Sequence, residues 1–214
     1  MTRNKVYAIA EGHGEANKPS KKEQAAVIVL ISRLLQELKC WSLFPVEKRP
    51  PFRMPSYGSF FRGDKLERAI RLHKMYADCV ALLVLIDMDD DCAKEKATEL
   101  TSRIQKMESL PFSVVVVCAR REYEAWFLAS LETIHPGQHY PTDPESRRDA
   151  KGWLRKQFGY KPTRDQSRYT QDLDIALARE RSRSFRRLYH AFEEIATAAS
   201  TGQCIISPLK IAET

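Results

Sequence analysis

No stretch of this chain stays apolar for anything near the ~20 residues that a membrane helix requires. The expectation is a protein without a membrane. The amino terminus, Met1-Thr-Arg-Asn-Lys5-Val-Tyr-Ala-Ile9, lacks the long apolar core of a secretory signal and reads as a strand; cytoplasmic residence is the default expectation. The five cysteines, at 40, 79, 92, 118 and 204, include no Cys-x-x-Cys pair, which argues against a structural zinc site. Cys79 and Cys118 fall in apolar segments and read as small buried hydrophobes, and only its place beside several acids marks Cys92. Neither a Gly-Lys-Ser/Thr phosphate loop nor a dinucleotide-binding glycine fingerprint is present. Internal repeats and low-complexity tracts are absent too. Acids are outnumbered, 28 against 35 lysines and arginines, for a net charge of +7. That balance favours a polyanionic partner, nucleic acid first among them.

The positive charge is unevenly placed. Residues 39–76 carry nine Lys/Arg against three acids, and Arg179-Glu-Arg-Ser-Arg-Ser-Phe-Arg-Arg187 carries five arginines against one glutamate. Either stretch is compatible with a solvated helix face. Against this basic background stands one acidic run. Ala81-Leu-Leu-Val-Leu-Ile86 passes directly into Asp87-Met-Asp89-Asp90-Asp91. A continuous apolar run of this length reads as a strand buried on both faces of a parallel sheet. Its carboxyl end is the edge where ligands bind in open α/β sheets. Clustered carboxylates repel unless a cation, protons or water intervene, and hard oxygens suit Mg²⁺ or Mn²⁺. A polar turn opening a helix is the alternative.

At 214 residues the chain can bury one good core. Lys5 to Ala10 reads as a first strand, closed by the turn Glu11-Gly-His-Gly-Glu15. A helix follows over Ser20 to Lys39, with Ser20 and Glu23 at capping-box spacing. Trp41 to Val46 is a possible second strand. Lys48 to Tyr57, with three prolines, reads as a loop, and Asp64 to Tyr76 as a basic helix. After the strand Cys79–Ile86 come a helix over 91–108, a strand Phe112–Cys118 and a helix Arg121–Leu131. Residues 135–145 read as a linker. Helices over about 146–158, 169–180 and 184–199 follow, and Cys204-Ile-Ile206 is a possible edge strand. This order argues for an α/β fold with a parallel sheet flanked by helices, residues 1–134, and a helical extension packed on it, 135–214.

Parallel strands place their ends on one edge, so Glu11, Asp87, Asp89 and the glutamates after the fourth strand are candidates for a single site. Alternation in an extended segment would put Asp87 and Asp89 on the same face, leaving Asp91 as a helix cap. The Arg121–Leu131 helix is apolar nearly all round and therefore buried, where a glutamate is costly unless paired or metal-bound. Glu122 and Glu124 would point about 160° apart on a helix, so only one of them is expected to serve the site. His13 reads as a loop residue or substrate contact.

Glu11-Gly-x-x-Glu15 followed by Asp87-x-Asp89, at the ends of successive parallel strands, resembles the TOPRIM domain of topoisomerases, primases and overcoming-lysogenization-defect nucleases. The chain as a whole resembles single-domain TOPRIM-like proteins encoded beside an ABC- or SMC-like ATPase, often in phage-defence loci. The matching segments include Arg121-Glu-Tyr-Glu-Ala-Trp-Phe-Leu-Ala129, Lys151-x-x-Leu154, Tyr160-x-Pro-Thr-x-Asp165-Gln166 and Arg183-Ser-Phe185. The resemblance departs at Ser130, where many relatives carry Asp, and at the Asn17–Lys22 insert. It implies a two-metal nuclease acting on DNA in preference to RNA and gated by an ATPase partner. Glu11, Glu15, Asp87 and Asp89 would hold Mg²⁺ (or Mn²⁺), with Glu122 or Glu124 completing the set. Lys151 would join Glu11, Asp87 and Asp89 in catalysis. Arg53, Arg62, Arg183, Arg186, Arg187 and His13 would hold nucleic acid. The competing expectation is a non-catalytic subunit with the same shell that binds DNA or its ATPase.

Overall fold

Two uninterrupted runs of Val, Leu and Ile, within Cys79–Asp87 and Ser113–Ala119, build the centre of a five-stranded sheet in which every pairing is parallel. Runs without polar alternation fit this position, because both faces of a central strand in such a sheet are covered. The computed structural model describes residues 4–11, 16, 24–44, 46–47 and 49–208. Along the described chain the elements are β1 (Lys5–Glu11), α1 (Ala26–Glu37), β2 (Phe52–Met54), α2 (Gly58–Phe61), α3 (Lys65–Leu72), β3 (Cys79–Asp87), α4 (Ala93–Gln105), β4 (Ser113–Ala119), α5 (Glu124–Ala129), α6 (Leu131–Ile134), α7 (Ala150–Phe158), α8 (Pro162–Asp172), α9 (Ile175–Arg181), α10 (Arg183–Thr201) and β5 (Ile206–Ser207).

The sheet order is β2-β1-β3-β4-β5. Side chains alternate between two cores. Ala8, Leu83 and Val115 stand level across the sheet and face α1, α5 and the helices after α6. Ile9, Val84 and Val116 face α3 and α4. An α/β architecture with a parallel sheet between helical layers is therefore what the chain adopts.

The second strand is not where the sequence suggested. Trp41–Leu43 is a 3₁₀ turn, and β2 lies inside the proline-containing segment read as a loop. Pro50 and Pro51 precede β2, and an edge strand needs ladder donors on one side only, so nearby prolines are tolerated there. The helix read over 169–180 is two helices. Asp174 divides them, its carboxylate accepting from Leu177 N at 2.9 Å as the cap of α9. The Ser20–Glu23 capping box lies outside the described residues. Residues after 134 do more than cover the sheet. Arg33 donates to Thr170 O at 2.8 Å, Trp126 Nε1 to Ser184 Oγ at 2.9 Å, and β5 returns to pair with β4 at Val114 and Val115. The 134/135 boundary thus runs through one shared core. Among the described residues no helix is long and apolar enough to cross a membrane.

Candidate active site at the carboxyl edge of the sheet

The strand order reverses between β1 and β3: from β1 the chain goes to one neighbour, β2, and then returns to the other side at β3. In open parallel sheets, ligands bind in the crevice outside the strand ends at such a switch point. Glu11 ends β1 and Asp87 ends β3, and Ala10 pairs with Leu85. The two carboxylates therefore leave the sheet from adjacent strands.

Asp87 Oδ1 accepts the Tyr123 N–H at 2.9 Å, a bond that ties the end of β3 to the start of α5. The two turns above the sheet are also stitched together. Met88 N donates to Ala119 O at 3.1 Å, and Asp89 N donates to Arg121 O at 2.8 Å. Asp89 and Arg121 both have positive φ, 46° and 69°. Non-glycine residues rarely adopt that region, and when they do the surrounding contacts must hold them there. This overturns the expectation that Asp87 and Asp89 share a face, because the extended alternation stops at Asp87. Asp89 is exposed on the turn. Asp90 pairs with Arg121 and with Arg148, the latter at 3.1 Å. Asp91 accepts from the Tyr57 hydroxyl and does not cap α4, whose N-cap is Cys92.

The glutamate pair also differs from expectation. Glu122 precedes α5, so helical geometry does not govern it, and both glutamates reach one cation. Lys151 Nζ lies 3.5 Å from Glu122 Oε2 and 3.7 Å from Glu124 Oε2. Lys151 N–H donates to Glu122 Oε1 at 2.8 Å, and Tyr160 OH donates to Glu124 Oε1 at 3.0 Å. Glu124 is fully buried and Glu122 is 9% exposed. Burial raises the Glu122 pKa above the ordinary carboxylate range, with nearby Asp149 adding to the rise and Lys151 opposing it. A buried glutamate paired with an ammonium and a phenol meets the condition that buried charge be compensated.

A divalent cation is implied by the resemblance. Glu11 and Asp87 offer the hard carboxylate oxygens that Mg²⁺ takes. Among the described residues, however, no group of three His, Cys, Asp or Glu side chains stands close enough to hold a metal ion. The fit is one of donor type at two strand ends. Glu122 and Glu124 are turned to Lys151, Asp89 sits exposed on the turn, and Glu15 and His13 fall outside the described residues.

Beside the strand ends lies a cleft of about 550 Å³ between the start of α4, the turn after β4 and the start of α10. Val116 and Cys118 form its floor, and burial pushes the Cys118 thiol up to about 12, so it stays protonated. Arg183 and Arg187 line the cleft. Arg187 is shared with Glu194 at 3.3 Å and Ser207 Oγ at 2.6 Å. Arg186 points elsewhere and donates to Arg179 O and Glu180 O, both at 3.0 Å. Arg53 lies on β2 beside a second cavity, and Arg62 follows α2; neither is part of the cleft.

Residues 21–193 match the family described as a domain of unknown function, DUF4276. The chain belongs to the DUF4276 family. No curated protein and no solved structure matches it. The DUF4276 match covers Asp87, Asp89, Glu122, Glu124 and Lys151 and begins after Glu11 and Glu15.

Reading the DUF4276 chain as sequence did not single out Tyr160 as the partner of Glu124, nor Lys94, Arg120 and Arg148. Arg120 carried a usable signal, since Arg120-Arg121 directly follows a buried strand and so falls on the ligand-binding edge. Lys94 and Arg148 carried none, because Lys94-Glu-Lys96 and Arg147-Arg148-Asp149 read as ordinary solvated charge in polar stretches.

Proposed function

We propose that this chain is a Mg²⁺-dependent nuclease, with Mn²⁺ able to substitute, that hydrolyses phosphodiesters of DNA in preference to RNA. The observation that carries the reading is the arrival of Glu11 and Asp87 at adjacent strand ends on the switch point of a parallel sheet. Those two carboxylates would hold the cation, which when bound would neutralise phosphoryl charge and acidify its water. The chain's own groups have distinct tasks. The Tyr123 N–H keeps the Asp87 carboxylate oriented at 2.9 Å. The Lys151 ammonium, held by Glu122 and Glu124 at one third exposure, would meet a phosphate oxygen. Glu122, which accepts the Lys151 N–H at 2.8 Å through one oxygen and faces the Lys151 ammonium at 3.5 Å through the other, would keep that ammonium oriented. In this reading the protein works in the cytoplasm as the effector of an anti-phage system, under an ABC- or SMC-like ATPase encoded beside it.

The purified protein is to be incubated with DNA and RNA, each with Mg²⁺ or Mn²⁺, with and without the product of a neighbouring ATPase gene. Cleavage that is abolished by EDTA and by Asp87→Ala is expected. Absence of cleavage under every condition, or equal cleavage by Asp87→Ala, would sink the reading. A second reading, a non-catalytic subunit that binds DNA or the ATPase, is favoured by the pairing of Glu122 and Glu124 with the Lys151 ammonium, which occupies two candidate ligands. Calorimetric titration with Mg²⁺ separates the two, because the non-catalytic subunit shows no binding that depends on Asp87.

A further inference from the structure

The cleft beside the strand ends gathers cations from three separate elements: Lys94 from α4, Arg120 from the turn after β4, and Arg183 from α10. All three residues are exposed. Among the described residues none of the three side chains has an ion pair or a hydrogen bond. The same lining holds four acids against five cations, and three of the four acids are held by hydrogen bonds or ion pairs that turn them to the protein. Asp90 is held by Arg121 and Arg148, Asp91 by the Tyr57 hydroxyl, and Glu145 caps α10 through Ser182 Oγ and Ser184 N, both at 2.7 Å. Asp89 is the remaining acid. The 13-residue α4 opens on the cleft, and its N-cap, Cys92, makes no side-chain hydrogen bond. A helix start of this kind favours phosphate, and here the independent cations point the same way.

We infer that this cleft binds single-stranded nucleic acid through its phosphates, with Lys94, Arg120 and Arg183 as the contacts. The inference deepens the nuclease reading and rests on it for the choice of polyanion. A space of about 550 Å³ accepts a ligand of about one or two nucleotides, whereas a duplex does not enter it. Among the described residues no aromatic ring lines the cleft, so they offer bases no stacking platform of the kind that single-strand binders use. Contacts limited to phosphates position a strand without reading its sequence. Asp89 and Arg121 line the cleft and are close chain neighbours of Asp87 and Glu122. A strand lying there passes beside the turn that follows Asp87.

The test is fluorescence anisotropy with a labelled 12-nucleotide single strand, in EDTA, so that binding is read with no cleavage. Lys94→Ala/Arg120→Ala/Arg183→Ala is expected to bind at least tenfold more weakly than the parent. The slope of log K against log salt should fall by about 2, as three lost phosphate contacts require. A control with equal charge removed elsewhere, Lys106→Ala/Arg155→Ala/Lys156→Ala, is expected to bind within twofold of the parent, and both variants are to keep the parent's thermal midpoint. Two single strands of unrelated sequence should bind alike. The inference is overturned if the cleft variant binds within twofold of the parent, if the control loses as much, or if a blunt duplex competes as well as the single strand. Failure of the nuclease reading would look different, as intact cleft-dependent binding without cleavage.

Discussion

At the scale of single residues, Lys151 is the group on which the site's stability turns. It stands between two buried carboxylates, and removing one partner of a buried ion cluster costs more than the cluster contributes. Lys151 is one-third exposed, which tempers the cost. Lys151→Ala is expected to lose about 1–3 kcal/mol at neutral pH by urea unfolding. The sign with pH follows from Glu122. Its folded pKa is raised, first by burial, so its favourable contribution is fully present below the ordinary carboxylate pKa of about 4.3 and is lost as pH rises through the folded value. The penalty of Lys151→Ala should therefore shrink toward pH 4. A second cluster at the opposite end of the sheet behaves inversely. Lys5 Nζ bonds Asp78 at 2.9 Å and Glu47 at 3.0 Å, and Tyr7 OH bonds Asp78 at 2.8 Å. Burial alone would raise the Asp78 pKa, but the hydrogen bonds from Lys5 and Tyr7 outweigh it and hold the carboxylate low. Its contribution is present above about pH 4 and is lost as pH falls below that. The stability difference between the parent and Asp78→Asn, followed by unfolding between pH 7 and pH 2.5, should diminish with acidification.

At the scale of elements, α10 depends on a carboxylate remote in sequence. Buried Glu145 accepts from Ser182 Oγ and Ser184 N at the helix start. Glu145→Ala strands both donors and should cost about 2–3 kcal/mol, read as a shift in the urea midpoint with an unchanged slope. Gly152 in α7 has a similar local duty. A Cβ there would meet Asp149 Oδ2 at 2.0 Å, and that carboxylate caps the helix through Gly152 N at 2.7 Å. Gly152→Ala should therefore forfeit a cap, about 0.5–2 kcal/mol. These elements mark the limits of what the sequence discloses. The central strands were legible because their runs of Val, Leu and Ile have a single physical meaning in a parallel sheet. β2 was not, because a three-residue edge strand between prolines has no periodicity to read. The meeting of Glu122 and Glu124 on Lys151 was hidden as well. The helix begins only at Glu124, and a side chain just before a helix start can turn in directions that helical spacing does not describe. Asp89 escaped for a related reason: its left-handed backbone is set by bonds to the neighbouring turn, which are tertiary.

At the scale of the whole molecule, the carboxylates at the switch point and the cleft lined by Asp89 and Arg121 both lie at the carboxyl edge of the sheet. Residues after 134 complete it, since α7 brings Lys151 and α10 brings Arg183 to an edge built by the first four strands. In the proposed function, Asp87 serves a metal-dependent hydrolysis at this edge. One assay decides it: the parent and Asp87→Asn are compared on single-stranded DNA in Mg²⁺, with the proposed ATPase partner present. Asparagine keeps the oxygen that accepts the Tyr123 N–H, so the fold should persist with a thermal midpoint near the parent's. Cleavage is expected to fall at least a hundredfold while binding to the same strand in EDTA is unchanged. Cleavage by Asp87→Asn at the parent's rate would contradict it.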